Sequence, residues 1–425
     1  MQERIFYMKI AAIIAEYNPF HNGHLLQLNT IRETVGADEI IILMSGDFVQ
    51  RGAPAVIDKY ARCRMALASG ADAVFELPVY FALASAEYFA QGAVSLMDRL
   101  GVTDVLHFGS ECGDISLLQD CATMIADESD AYRRLLNHHL KTGKSFPFAR
   151  SEAVKALSAD CNKEKITEVF ATPNNILALE YLKALRQQKS TVKPLTLQRT
   201  GAGFHADTLS PKELPSANAI RKSLQNTPGS AVSHLCGHLP DACLQILKEN
   251  RFLFLDDFSQ VLLYKLMQDA YLNGNFSRFF DISPALSNTI SAKLMQFTSF
   301  ETFVQLCKSK HLTYTRICRS LMHILLDMTQ EHADRLKADG CGYARLLGFR
   351  TKNGRSRLLN TIQENAAIPV ITSPAKGLHM LTGSARISLE ADIHAANLYE
   401  GVKAQKVTHV SLLNELTREV IHINS

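Results

Sequence analysis

Nowhere in the 425 residues is there a run approaching the roughly 18 uninterrupted apolar residues of a membrane-spanning helix, so neither a span nor a membrane partner is expected. The opening MQERIFYMKI has no long apolar core and no small-residue cleavage site, which argues against a secretory leader; its first seven residues read as a short extension of the first strand. The nine cysteines are scattered without a C-x-x-C pair, the pattern of reduced thiols in a cytoplasmic protein. One denser stretch, HLCGHLPDAC, holds His234, Cys236, His238 and Cys243. Its spacing matches no common zinc finger, and it reads as a polar loop, with no metal site expected. No G-x-S-x-G presents a serine nucleophile, and no K-M-S-K-S-like loop marks a class I aminoacyl-tRNA synthetase. Internal repeats and low-complexity segments are also lacking.

What is present is a globular composition, 47% hydrophobic and 20% charged, in a chain long enough for two or three domains. Apolar runs at 9–17 and 39–46 read as strands buried on both faces, 71–78 and 102–111 as a third and a fourth strand, and VKPLTLQRT (192–200) as a fifth. Helical patterns at 22–35, 58–70 and 85–101 separate them, so the expected fold is α/β, Rossmann-like, with a mainly parallel sheet. In such sheets ligands lie beyond the carboxyl ends of the strands. Here those ends are NPFHNGH, SGDFVQRGAP, FGSE and QRTGAGFH, all polar or glycine-rich. From residue 226 the spacing turns mostly helical, with few strand candidates such as PVITS (369–373). Two regions follow, an α/β domain over 1–225 whose strand ends suit an active site and a mostly helical region over 226–425, divided near QNTPGSAVS.

The pair His21 and His24 in HNGH admits four readings. Zinc on a helix prefers spacing four with an adjacent glutamate, and a triad base needs a presented nucleophile; neither condition is met. A plain helix-start pair is the bland alternative. Phosphate binding fits the position best, because the pair joins strand one to helix one, where free N–H groups and the helix dipole attract anions. Residues three apart share a helix face, and imidazole donates through a ring N–H in either protonation state. Gly23 would let a nucleotide approach the backbone. A second clamp is LPSANAIRKSL (214–224), where Ser216 can cap a helix and Arg221 and Lys222 follow about a turn later; an amphipathic surface helix is its bland alternative.

EYNPFHNGH (16–24), SGDFVQRGAP (45–54), FGSE (108–111), PNNILALEYLKAL (173–185), QRTGAGFH (198–205) and SANAIR (216–221) occur in the order seen in the bacterial tRNA(Met) cytidine acetate ligases. YTRICRSLMHILL (314–326) and YARLLGF (343–349) resemble that family's helical C-terminal part. The resemblance implies an ATP-dependent ligase that forms N4-acetylcytidine at the wobble position of elongator tRNA(Met). It does so from acetate, through acetyl-adenylate, releasing pyrophosphate and then AMP. It also implies that ATP is held by Ile14, Ala15, Glu16, Tyr17, Asn18, Pro19, Phe20, His21, Asn22, Gly23, His24, Leu25, Leu26 and Gln27. Gly109, Asn174, Arg199, Thr200 and Ser216 would complete that set, Asn174 being chosen over Asn175. His21, His24 and Arg221 would carry the catalytic charge stabilisation, with Lys222 beside them and Mg²⁺ expected on the triphosphate. Asp47, Gln50 and Arg51 are candidates for acetate or the target base, against a purely structural loop. The sequence departs from the family in its N-terminal extension and in SANAIR, where Ile-Ser-Ala-Thr is commoner; Asn218 stands in place of a threonine hydroxyl.

Between Lys308 and Arg357 eleven Lys or Arg face four acids, a local +7 against −4 for the rest of the chain. By itself this is equally a solvated face or a surface for a phosphate-rich partner. With the resemblance, Arg316, Arg319, Arg345, Arg350, Lys352, Arg355 and Arg357 become the expected tRNA contacts. Rival readings are a small-molecule adenylyltransferase, a pantothenate-synthetase-like ligase and a non-catalytic RNA-binding relic.

Overall fold

The computed structural model describes residues 8–158, 163–199, 214–227, 232–309, 312–406 and 412–424. The apolar runs form strands β1 (Ile10–Ala15), β2 (Glu39–Ser45), β3 (Ala73–Leu77), β4 (Val105–Ser110) and β5 (Lys193–Gln198). The side chains of β1 to β4 alternate between two cores, whereas β5 is half-buried at the edge. Ile10, Ala12, Ile41, Leu43 and Phe75 enter one; Ala11, Ile13, Ile40, Ile42 and Val74 enter the other. A strand buried on both faces needs apolar residues at every position, which is why these stretches read as unbroken runs.

Helices α1 (Asn22–Thr30), α2 (Lys59–Ala68) and α3 (Ala86–Leu100) follow β1, the loop after β2, and β3. Asp58 caps α2 by accepting from the Ala61 N–H, and Ser85 is the N-cap of α3. Gly101, at φ 73°, stops α3 in the left-handed region. The helix expected over 22–35 is α-helical only to Thr30; a π turn, Ile31–Val35, completes it. Helices α4 (Ile115–Asp127), α5 (Asp130–Lys141), α6 (Phe146–Leu157) and α7 (Pro173–Gln187) lie between β4 and β5, and α8 (Ala217–Asn226) comes after β5.

The C-terminal half is largely helical and includes α9 (Tyr314–Leu325) and α10 (Gly383–Ala404), but it also returns to the sheet. The stretch 343–349, expected to be helical, lies mostly in strand β6 (Ala344–Thr351), antiparallel to β3. A short apolar run has no period that separates strand from buried helix, and tertiary pairing decides between them. Strand β7 (Ile421–Asn424) pairs with β6, and Val370–Ile371 adds a short parallel partner. The sheet runs β7-β6-β3-β2-β1-β4-β5 and so draws strands from both sides of residue 226. Chain direction reverses its order between β1 and β4, and the crevice beyond their carboxyl ends is where such a sheet binds ligands.

Arg345 of the basic window lies in the core, 2% exposed, and not at an RNA surface. Its Nη1 is 3.1 Å from Glu76 Oε2 and its Nη2 is 2.5 Å from Glu415 Oε1. Lys59 Nζ completes the ring, 2.7 Å from Glu76 and 2.6 Å from Glu415. Arg345→Ala leaves these carboxylates with one cation and should lower unfolding free energy by about 3–5 kcal/mol. Arg355→Ala, at an exposed position, should stay within about 0.5 kcal/mol. Urea unfolding of both variants checks the contrast.

Candidate active site

Between β1 and α1 the chain makes a tight passage through Glu16, Tyr17 and Asn18. Tyr17 sits at φ 45°, a conformation rare outside glycine, with a cis peptide following at Asn18–Pro19. The passage is held by Arg62, which is fully buried in α2. Its Nη1 donates to the carbonyls of Glu16 (2.8 Å) and Ser45 (2.9 Å), its Nε to that of Ile57 (3.1 Å), and its Nη2 to that of Gly46. One guanidinium thus ties together the carboxyl ends of β1 and β2. Nothing in the sequence singles out Arg62, an arginine within an ordinary helical pattern.

His21 is the N-cap of α1. Its Nδ1 accepts from the Gly23 N–H at 3.1 Å, and His24 Nδ1 accepts from the His21 N–H at 3.2 Å, a capping box built from two imidazoles. The helix-start reading and the phosphate reading therefore describe different nitrogens of the same rings. With Nδ1 accepting, this hydrogen bonding assigns the ring proton to Nε2. The rings stack at 3.8 Å, and Tyr17 and Phe20 pack edge-on or tilted against His24. Burial, then the charges of Arg199 and Arg221, lower His21 to about 3; burial, then His21 and Arg199, hold His24 well below its ordinary value. Both are neutral donors at physiological pH. Gly23 makes room for the neighbouring imidazole: a Cβ there would lie 2.9 Å from His21 Cε1.

The two histidines border a cleft of about 510 Å³. Ile14, Ala15, Glu16, Tyr17, Asn18, Gln27, Gly109, Asn174, Arg199, Ser216 and Arg221 line it too, as do Gln50 and Arg51. The helix start expected in 214–224 forms, with Ser216 as its cap. Ser216 Oγ accepts from the Ala219 N–H at 3.0 Å, and Arg221 Nη1 donates to the Asn18 carbonyl at 2.8 Å. Burial, then the charge of Arg51, pulls Arg221 down to about 10, and burial lowers Arg199. FGSE and PNN clasp each other. Glu111 accepts from the Asn174 and Asn175 N–H groups at the start of α7, while Asn175 Oδ1 accepts from the Glu111 and Cys112 N–H groups. Asn174 faces the cleft and Asn175 is buried behind it. Phe89, Phe108, Ile176, Leu177 and Tyr181 supply an apolar wall.

Several expected residues stand elsewhere. Pro19, Phe20, Asn22, Gly23, Leu25 and Leu26 shape the passage without lining the cleft. Asn22 donates to the carbonyls of His238 (3.0 Å) and Gly237 (2.7 Å), so the HLCGHLP loop anchors the start of α1. Lys222 is exposed and off the lining; Thr200 lies outside the described residues. Asp47 is buried behind the loop, accepting from the Lys59 N–H at 2.7 Å, and burial pushes its carboxyl up to about 7. It belongs to the scaffold, not to an acetate or base pocket.

The basic window divides. Arg319 and Thr315 of α9 line the cleft, where Gly52 of the Gln50–Arg51 hairpin abuts the α9 backbone; a Cβ at Gly52 would lie 2.3 Å from the Arg319 nitrogen. Arg316 pairs with Asp281 at 2.9 Å. Arg350 hydrogen-bonds through its N–H to the Asp72 carbonyl, and Lys352 is 3.6 Å from Glu39, at the amino ends of β3 and β2. With Arg355 and Arg357 a few residues on, this group lies at the opposite end of the sheet from the cleft.

A mainly parallel sheet with a histidine pair at its first strand–helix junction and arginines around the crevice defines a nucleotidyltransferase. A family model described as HIGH Nucleotidyl Transferase matches residues 8–412. The tRNA(Met) cytidine acetate ligase of Clostridium perfringens is 39% identical over 397 residues, 92% of this chain and 95% of that protein. That of Acetivibrio thermocellus is 36% identical over 402 residues, 92% and 94% of the two chains. The crystal structure of Thermotoga maritima TmcAL in its apo form superposes with a TM-score of 0.89 at 29% identity, covering 98% of this chain and 100% of that one. The same protein bound with alpha-thio ATP superposes at 0.87. The chain belongs to the tRNA(Met) cytidine acetate ligase family.

A histidine held neutral by burial contributes stability that is complete above its unfolded value of 6.5 and lost as pH falls toward the folded value, about 3 for His21. The urea midpoint should therefore drop between pH 7.5 and 5.5, and drop less in His21→Asn, where asparagine keeps the cap. Equal drops in the two proteins would contradict a buried neutral His21.

Proposed function

We propose that this protein joins acetate to the N4 amine of the wobble cytidine of elongator tRNA(Met) at the expense of ATP. The observation that carries the reading is the cleft itself: two neutral imidazole donors and four guanidiniums converge beside an apolar wall, and no nucleophilic side chain is needed. The triphosphate lies against His21, His24, Arg199 and Arg221, with the start of α8 and Ser216 beside it. An acetate oxygen attacks the α-phosphorus, and the bond to the bridging oxygen of pyrophosphate breaks. The Nε2–H groups and arginines stabilise the charge building on both groups. The cytidine amine then attacks the acetyl carbonyl, the carbonyl–oxygen bond to AMP breaks, and the amine loses a proton. Gln50, Arg51 and Arg319 stand where acetate or the entering nucleotide would meet them. A cytidine reaching this recess has left its stack, as bases in single-stranded loops can.

The 36–39% identity to named ligases over nine-tenths of the chain supports this activity over the small-molecule alternatives. Among the described residues no three His, Cys, Asp or Glu side chains converge on a metal position, and Glu16 is the carboxylate on the cleft lining. The donors present therefore do not build a protein cage for Mg²⁺. An ion accompanying the triphosphate would keep phosphate and water ligands, and no step is assigned to it.

Incubation with ATP, labelled acetate and elongator methionine tRNA should place label on the wobble cytidine with release of AMP and pyrophosphate. Transfer only from acetyl-CoA would overturn the ligase reading. His21→Asn, which keeps the cap but removes the Nε2 donor, should lower acetate-dependent ATP–pyrophosphate exchange by about 10²–10³-fold. Its tRNA affinity should stay near wild type, as filter binding would show.

A further inference from the structure

The molecule carries a second cationic face. Residues 131–150 contain five Lys or Arg and no Asp or Glu. Arg133, Arg134, Asn137, His138 and Lys141 share one stripe of α5 along a groove of about 470 Å³, with Asp130 at its start as the acid on the lining. The opposite side of α5 is buried through Tyr132. Arg133 is 3.4 Å from Glu128, both exposed, whereas Arg134 and Lys141 have no carboxylate partner among the described residues. Beyond Lys141 the chain stays exposed without a break to residue 148. That turn presents two aromatic rings, Phe146 at 53% and Phe148 at 44% exposure. Lys144 Nζ lies 5.3 Å from the Phe148 centroid, and the Arg150 guanidinium 5.5 Å from that of Phe146.

The turn lies at the cleft end of the sheet. α4 starts just after FGSE and runs away from the cleft for 13 residues, about 20 Å. Ser158, just past the end of α6, reaches Met124 near the far end of α4. Arg150, early in α6, is 2.7 Å from Glu180 in the middle of α7, whose first residues line the cleft. The start of α6 therefore points back toward the cleft.

Exposed rings set among cations that outnumber the acids beside them, Glu128, Asp130 and Glu180, suit a ligand that offers both phosphates and unstacked bases. We propose that the α5–α6 turn and the cationic stripe of α5 hold the single-stranded loop of the RNA substrate as its target base enters the cleft. Phe146 and Phe148 stack on unpaired bases, while Arg133, Arg134, Lys141 and Lys144 meet phosphates. This rests on the tRNA-modifying function proposed above.

The test uses the full chain, elongator methionine tRNA as probe, and two independent variants: Phe146→Ala/Phe148→Ala, and Arg134→Gln/Lys141→Gln/Lys144→Gln. Each should raise the tRNA Kd by roughly tenfold or more, as expected for losing stacked bases or phosphate contacts. The charge variant should also flatten the slope of log affinity against log salt by about 2. Acetate-dependent ATP–pyrophosphate exchange, measured without RNA, should match wild type in both. If wild type binds and acetylates tRNA and both variants bind it equally well, the surface assignment falls and the ligase reading stands. If wild type neither binds nor acetylates tRNA, both fall. If the variants lose only sedimentation with phosphatidylserine vesicles, the face is a membrane contact and the proposal is overturned.

Discussion

Lys59, Glu76, Arg345 and Glu415 form a ring of two cations and two anions, each no more than 3% exposed. Bringing an ion out of water costs several kcal/mol, and here the other members of the ring are the main offset. Those members come from the start of α2, from β3, from β6 and from the segment before β7. The ring is satisfied only when β6 lies beside β3, with Glu76 opposite Arg345. It thereby specifies where the C-terminal half closes onto the N-terminal sheet. Tyr60 joins it, its hydroxyl accepting from Arg345 at 2.9 Å and donating to Glu415 at 3.1 Å. Tyr399 of α10 holds the Ala55 carbonyl at 2.8 Å from the other side.

The cleft inherits that arrangement. Asp47 sits 3.9 Å from Lys59 Nζ and holds the first N–H of α2, so the SGDFVQRG loop is anchored behind by the ring and in front by Arg62. From this anchored loop Gln50 and Arg51 face the cleft, and Gly52 lets α9 approach closely enough to bring Arg319 to the same space. On the other side the two histidines each spend one nitrogen on the helix start and keep the second as a donor. Capping fixes the orientation of the rings; burial and the nearby arginines keep them neutral. The result is a set of pre-oriented neutral donors, the arrangement that the proposed chemistry on phosphate requires.

Much of this was legible in the chain. Apolar runs revealed the first four parallel strands, the alternation of strand and helix the fifth, and HNGH at the first strand–helix junction marked the crevice. Ser216 and Arg221 followed from a capping residue with an arginine about a turn later. Less legible were residues whose role depends on distant partners. Arg345 counts as one cation in a basic window until β3 supplies Glu76. Asp47 reads as a polar loop residue until α2 covers it. Asn174 and Asn175 differ only in which way α7 turns them, and Glu111 decides that.

By itself, then, the sequence determined the α/β class, the position of the crevice and the identity of the histidines that border it, because local periodicity and helix-start chemistry act over a few residues. Only the tertiary structure decided that 344–351 is a strand, which arginines are structural and which face the cleft, and that each histidine is both cap and donor. Those outcomes depend on desolvation and on charge pairing between segments hundreds of residues apart, and neither is encoded in local spacing.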